Sequence, residues 1–188
     1  GPFLARPPQP LPETPAALLV GVLERYKAVD VLAEAWREVA ARVPGARLRV
    51  VGTGSLPAPS GPGVEWTPRL DAGGVAAALD EAAVLVLPSR SEGMGRVLVE
   101  AFCRGRAVVG SRVGGIPDLV TDGESGLLVP PGDAGALADA LVRVLSDREL
   151  AERLGTGARA AAEPWLATPE EFAARLAELV RRVTKLSP

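Results

Sequence analysis

The sequence predicts an α/β domain built on a parallel sheet with helices on both faces. Three observations carry this. Short apolar runs alternate with segments whose apolar residues recur at helical spacing. The runs are apolar nearly throughout rather than at every second position, as strands buried on both faces are. The segments rich in glycine and charge follow Val20, Val51, Leu87 and Val109, at the carboxyl ends of strands, where open α/β sheets bind their ligands.

Residues 1–16 carry proline at positions 2, 7, 8, 10, 12 and 15, which reads as a linker or an expression remnant, leaving 17–188 as the folded domain. Leu18-Leu19-Val20 is the first strand, and Leu32, Trp36, Val39 and Val43 mark one face of the first helix, ended by Pro44-Gly45. Leu48-Arg49-Val50-Val51 is the next strand, and a Pro/Gly/Ser loop over 55–63 leads to a short strand at Val64-Glu65-Trp66. Asp71 is the expected N-cap of a helix through Leu79. Val84-Leu85-Val86-Leu87 is a buried strand closed by Pro88-Ser89, after which Val97, Leu98, Ala101 and Phe102 set a helical stripe. Ala107-Val108-Val109, a helical turn opened by Pro117, and Leu127-Leu128-Val129 continue the alternation. Asp133 is expected to cap a helix carrying Leu137, Leu141 and Leu145. Leu150 and Leu154 predict a short helical segment, Pro164-Trp165 a break, and Phe172, Leu176, Leu179 and Val183 the stripe of a final helix from about Pro169. No internal repeat is visible.

Composition excludes several function classes. The chain has 188 residues, enough for one well-buried domain and too few for two full α/β domains. With 47% hydrophobic but only 4% aromatic residues, its core must be built from Ala, Val and Leu. A net charge of −2 gives no field for nucleic acid, so any phosphate must be held by local cations. There is no histidine, hence no Ser-His-Asp triad, Cys-His pair or imidazole metal site within this chain. No Asp-x-Asp pair or similar ligand run argues for a metal. The single Cys103 sits beside Phe102 on an apolar helix, reads as core, and fits a reducing cytoplasm without internal disulfides. No apolar run approaches the roughly 20 residues of a membrane span, and no signal-peptide pattern is present.

The chemistry concentrates in Glu92-Gly93-Met94-Gly95-Arg96-Val97-Leu98-Val99-Glu100. It falls on a strand-loop-helix unit, with Glu92 in the loop and Glu100 inside the helix. Backbone N–H groups at a helix start, unblocked at Gly93 and Gly95, approach an anion closely. Ionised carboxylates repel phosphate but accept paired hydrogen bonds from vicinal sugar hydroxyls.

This segment resembles the Glu-x7-Glu motif of retaining, nucleotide-sugar-dependent glycosyltransferases of the GT-B fold, with Met94 in place of the usual aromatic residue. Gly21, Leu23, Lys27 and Asp30 match, in register, a family motif in which an arginine and a lysine neutralise the donor diphosphate; Val22 stands at the arginine position and Ala28 at a glycine position. Arg25, three residues further along the same loop, is the sequence's candidate for the missing charge. Val51-Gly52-Thr53-Gly54 resembles the family's Gly-x-Gly turn near the diphosphate. It lacks the third glycine and downstream acid of a dinucleotide fingerprint. Thr67, Arg69 and Leu70 lie on the segment that resembles the family's nucleobase-reading loop. Val113-Gly114-Gly115-Ile116-Pro117-Asp118 resembles its Gly-Gly-x-Pro-Glu segment, and Asp122-Gly123-Glu124-Ser125-Gly126 follows at the family's spacing. These matches run in one order from about residue 17 to 185.

The resemblance is to the C-terminal, donor-binding, Rossmann-like half of a family-4-type enzyme, and it implies a missing N-terminal domain that binds the acceptor. It implies transfer of a sugar from a nucleoside diphosphate donor to a hydroxyl with retention, and no metal or other cofactor. Glu100 would hold the ribose hydroxyls, Gly93, Met94 and Gly95 would meet sugar or phosphate, Glu92 would orient the sugar, and Lys27 would stabilise the departing diphosphate. A nucleophilic Glu92 ranks below the orienting role. Peripheral membrane association of the full-length enzyme is compatible with the family. Two alternatives stay open. A non-catalytic binding module is favoured by Val22, and an epimerase-like domain is disfavoured by the lack of histidine. The last helix matches one that packs on the missing domain, so part of its stripe is expected to be exposed here.

Overall fold

The computed structural model describes residues 1–166 and 169–185. Its centre is a six-stranded parallel sheet in the order β3-β2-β1-β4-β5-β6. The strands are β1 (Ala16–Val20), β2 (Arg47–Val51), β3 (Val64–Thr67), β4 (Val84–Leu87), β5 (Ala107–Ser111) and β6 (Gly126–Val129). The helices are α1 (Val29–Arg42), α2 (Ala72–Asp80), α3 (Arg96–Cys103), α4 (Ile116–Leu119), α5 (Ala134–Ser146), α6 (Arg148–Ala162) and α7 (Pro169–Lys185). Among the described residues no helix is long and apolar enough to cross a membrane.

The continuous apolar runs are explained by burial on both faces. Successive strand side chains alternate sides. Ala17, Leu19, Val84, Val86, Ala107 and Val109 pack with α1 and α5 through Leu32, Trp36, Val39, Leu137 and Leu141. Leu18, Leu85, Leu87 and Val108 face the opposite core, with Val75 and Leu79 of α2, Leu98 and Phe102 of α3, and Ile116 of α4. Asp71 and Asp133 cap as expected, accepting from the Gly74 and Ala136 N–H groups.

Two expectations are corrected. The first strand begins at Ala16 rather than Leu18. The short segment expected around Leu150 and Leu154 is a 15-residue helix, α6, that runs through Gly155 and Gly157. Glycine is a poor helix former, and here the two glycines allow close packing. A Cβ on Gly155 would lie 2.4 Å from the Gly105 carbonyl oxygen, and one on Gly157 2.1 Å from that of Glu124.

Residues 1–15 form no helix or strand, and they are held in place. Arg104, 1% exposed, chelates Asp80 at 2.9 and 2.8 Å and donates to the carbonyls of Arg6 at 2.7 Å and Pro7 at 2.9 Å. Buried Arg106 donates to the carbonyls of Leu79 and Gln9, and Arg148 to those of Leu11 and Pro12. Proline lacks an N–H, so such a segment carries surplus acceptors, and the guanidinium fork of five donors matches them. The helix α7 presents Phe172, Leu176, Leu179 and Val183 to solvent.

Gly155→Ala tests the packing assignment by the sign of its effect. Helix propensity alone favours alanine by about 1 kcal/mol, whereas forcing a methyl into the α6–Gly105 contact costs about 1–3 kcal/mol. A net destabilisation is expected by urea denaturation, and a gain in stability would refute the contact.

Candidate functional site

The strand order reverses between β1 and β4, so the loops leaving their carboxyl ends lie side by side. Several bonds tie them together. Lys27 Nζ meets Glu92 Oε2 at 2.5 Å, with the side chains only 13% and 10% exposed, and Ser89 Oγ donates to the same oxygen at 3.1 Å. The Lys27 ammonium also lies 5.6 Å from the Tyr26 ring centroid. The Arg90 N–H donates to the Tyr26 carbonyl at 2.7 Å, and its guanidinium forks onto Asp30 at 2.8 and 2.7 Å.

The local backbone is shaped for this approach. Ala28, fully buried, sits at φ 50 and ψ 44, in the left-handed region, and is the one non-glycine residue with positive φ among the described residues. Its conformation costs roughly 1–2 kcal/mol and lets the chain turn from the Lys27 loop directly into α1. The Glu92 loop rests on Gly114, where a Cβ would come within 1.7 Å of the Glu92 carbonyl oxygen. Gly115 donates to the Gly93 carbonyl at 3.2 Å.

Between these loops and α3 lies a cleft of about 450 Å³, lined by Lys27, Glu92, Met94, Gly95, Arg96 and Glu100, with Val20, Gly21, Val22, Tyr26, Val97, Phe3 and the α2 residues Ala72 and Val75. Gly93, Met94 and Gly95 donate no backbone hydrogen bond among the described residues, and Gly95 caps α3, where the helix dipole is positive. Burial pushes the Glu100 carboxyl up, opposed by the charge of Arg96. Among the described residues the Glu100 carboxylate accepts no hydrogen bond. A more apolar hollow adjoins the cleft, sharing Phe3, Met94, Arg96 and Glu100 and reaching Trp165 and Cys103.

Other sequence candidates lie nearby without lining the cleft. Arg25 is exposed, and its carbonyl accepts from Arg90 at 3.1 Å. Gly52 and Gly54 serve loop-on-loop packing: a Cβ would lie 1.7 Å from the Gly21 carbonyl oxygen at the first and 2.3 Å from that of Leu23 at the second. Thr67 ends β3, where its carbonyl accepts from the Gly52 N–H. Arg69 and Leu70 follow in the loop before α2. Ser89, Tyr26 and Arg96 were not singled out from sequence. Arg96 lies inside the Glu92–Glu100 motif, whose signal is the spacing of the two glutamates. Among the described residues no three acidic or cysteine side chains gather as metal ligands.

Comparison with known proteins bears on the family and the fold. The family model described as glycosyl transferases group 1 matches residues 14–147. D-inositol 3-phosphate glycosyltransferase from Nocardia farcinica is 33% identical over 180 residues, covering 85% of this chain and 39% of that protein. The structure of sucrose-phosphate synthase from Thermosynechococcus elongatus superposes with a TM-score of 0.77 at 31% identity, over 93% of this chain and 47% of that one. Anabaena Alr3699/HepE, solved in complex with UDP-glucose, gives a TM-score of 0.72 at 20% identity, over 93% of this chain and 50% of that one. This chain thus spans half or less of the length of each of these proteins.

Two measurements check the electrostatics. Lys27→Met leaves Glu92 nearly buried without its counter-charge and is expected to cost about 2–4 kcal/mol, while adding Glu92→Gln recovers most of that loss. Additive losses in the denaturation cycle would show the two groups to be uncoupled. Arg90's hydrogen bonds, the largest effect, lower the Asp30 carboxyl from 3.8 to about 2. The folded value is depressed, so the stabilisation is present above 3.8 and fades as pH falls through about 2. Asp30 is 61% exposed, so Asp30→Asn is expected to cost less than about 1 kcal/mol near neutrality and nothing at the acid end of a pH-dependent denaturation series.

Proposed function

The chain belongs to the glycosyl transferases group 1 family, and from that membership we propose that it is the donor-binding half of a glycosyltransferase that takes its sugar from a nucleoside diphosphate. The observation that carries the reading is the half-buried Glu100 carboxylate, without a hydrogen-bond donor of its own, in the same cleft as the Lys27–Glu92 pair. A desolvated, unpartnered carboxylate suits two ribose hydroxyls, which donate in parallel without bringing charge. The free N–H groups of residues 93–95 and the start of α3 suit phosphate or sugar oxygens. The UDP-glucose complex of Alr3699/HepE supports a nucleotide sugar as the ligand class.

In this reading Lys27 meets the departing diphosphate, exchanging part of its bond to Glu92 for phosphate oxygens. Glu92, released to the same extent, accepts from the sugar hydroxyls and fixes the ring for attack by the acceptor. Transfer proceeds with retention and without a metal, the positive charge at the leaving group coming from side chains and the helix start. The acceptor side belongs to a second domain, for which the solvent-exposed apolar stripe of α7 is a suitable seat. Residues 1–188 taken without such a second domain bind donor but turn it over poorly, because the acceptor side completes the water-excluding cleft.

A second reading keeps the fold as a binding module without transfer. Val22, apolar and 47% exposed on the cleft where the family places arginine, favours it.

A thermal-shift panel of UDP-, GDP- and ADP-sugars tests the first reading. One nucleotide at about 100 times its Kd is expected to add about 2.7 kcal/mol, raising Tm by roughly 5–10 °C. No shift with any of them would refute donor binding. Glu100→Gln is expected to cut affinity by about 10- to 100-fold through two lost charge-assisted bonds. The same change has an opposite effect on stability. Burial raises the folded pKa of Glu100 above its ordinary 4.5, so the wild type loses stability as pH rises through the raised value. Glu100→Gln is therefore expected to melt higher than wild type at neutral pH, with the difference gone near about pH 3.

A further inference from the structure

A departing diphosphate needs about two positive charges beside it. Val22 leaves one of these unfilled from the β1 side of the cleft. Four charged side chains line the cavity: Lys27, Glu92, Arg96 and Glu100. Lys27 is already matched by Glu92 at 2.5 Å. Arg25, nearest in sequence to the vacant position, is exposed and outside the lining. Arg96 is different. It is the first residue of α3, and among the described residues its guanidinium has no hydrogen bond and no carboxylate within 4.0 Å. The helix dipole disfavours a cation at that position, since the helix start is itself positive. Nor does packing explain the residue, because Arg96 is exposed to the cleft rather than buried against a neighbour.

We propose that Arg96 is the second cation of the diphosphate site, supplying from the start of α3 the charge that Val22 does not supply from the end of β1. The guanidinium fork binds two phosphate oxygens at once, and the same phosphate lies within reach of the open N–H groups of residues 93–95. Lys27 and Arg96 would then hold the diphosphate from opposite loops. Glu100, one helical turn after Arg96, takes the ribose. This assignment rests on the nucleotide-sugar reading above and names the residue that completes it.

The bland role for Arg96 is to offset the Glu100 charge one turn away, and the two roles differ in what they do to phosphate number. Isothermal titration of the whole chain with UDP, GDP and ADP, and with the corresponding monophosphates, separates them. For the nucleotide that binds, Arg96→Gln is expected to weaken the diphosphate at least 10-fold and the monophosphate no more than about 3-fold, with Arg96→Lys recovering part of the loss. The salt dependence of diphosphate binding is expected to flatten in Arg96→Gln. An equal loss for diphosphate and monophosphate, no loss at all, or the larger loss at Arg25→Gln would overturn the assignment while leaving donor binding intact. Absence of saturable binding to wild type would overturn the nucleotide-sugar reading and this inference with it. Arg96 is exposed, so an unchanged melting temperature is expected of the unliganded variant.

Discussion

The Lys27–Glu92 ion pair is the interaction on which the site depends. It joins the two loops that a reversal of strand order places side by side, and it does so in nearly dry surroundings. A charge pair so little exposed is a weak source of net stability, because removing both groups from water costs about as much as their attraction returns. Its value lies in placement. Each group fixes the rotamer of the other, and Ser89, Tyr26 and the Arg90–Asp30 fork hold the loops that carry them. Ala28 bears a left-handed backbone at the junction, and the Gly114 contact lets the Glu92 loop lie flat on its neighbour. Local strain and buried charge gather where the sheet's topology puts a ligand.

The cleft is electrically balanced within itself, two cations against two carboxylates, but only one of its pairs is closed. The closed pair presents a cation and an acceptor that a ligand can part. The open pair, Arg96 and Glu100, presents a donor fork and a desolvated acceptor one helical turn apart. A ligand with an anionic middle and hydroxyls at both ends fits this alternation better than a simple anion, which the carboxylates would repel, or a neutral sugar, which would leave the cations unused. A nucleoside diphosphate sugar has that order of groups.

The central strands β1, β4 and β5 were legible in the sequence because both of their faces are buried, which leaves continuous apolar runs that no solvent-exposed strand would show. The Asp71 and Asp133 caps were legible because N-capping is local chemistry. The length of α6 was not legible, because the close backbone contacts that Gly155 and Gly157 admit are invisible until their partners are known. The two arginines around Gly105 went unread for the same reason: what they bind, Asp80 and the carbonyls of residues 3–10, is distant in sequence. At the site, spacing and resemblance brought Glu92, Glu100 and Lys27 forward, and all three line one cleft. They could not show that Arg25 stands outside it while Arg96 stands inside, which is a matter of side-chain direction.

The central claim, that this cleft takes a nucleoside diphosphate sugar between the two loops and α3, is tested most directly by a crystal structure of the chain with whichever of UDP-, GDP- or ADP-glucose binds it. The diphosphate is expected between Lys27 and Arg96, the ribose hydroxyls on Glu100, and the Lys27–Glu92 contact lengthened from its 2.5 Å. Nucleotide bound elsewhere, or in the cleft with that pair unchanged and Glu100 still without a partner, would contradict it.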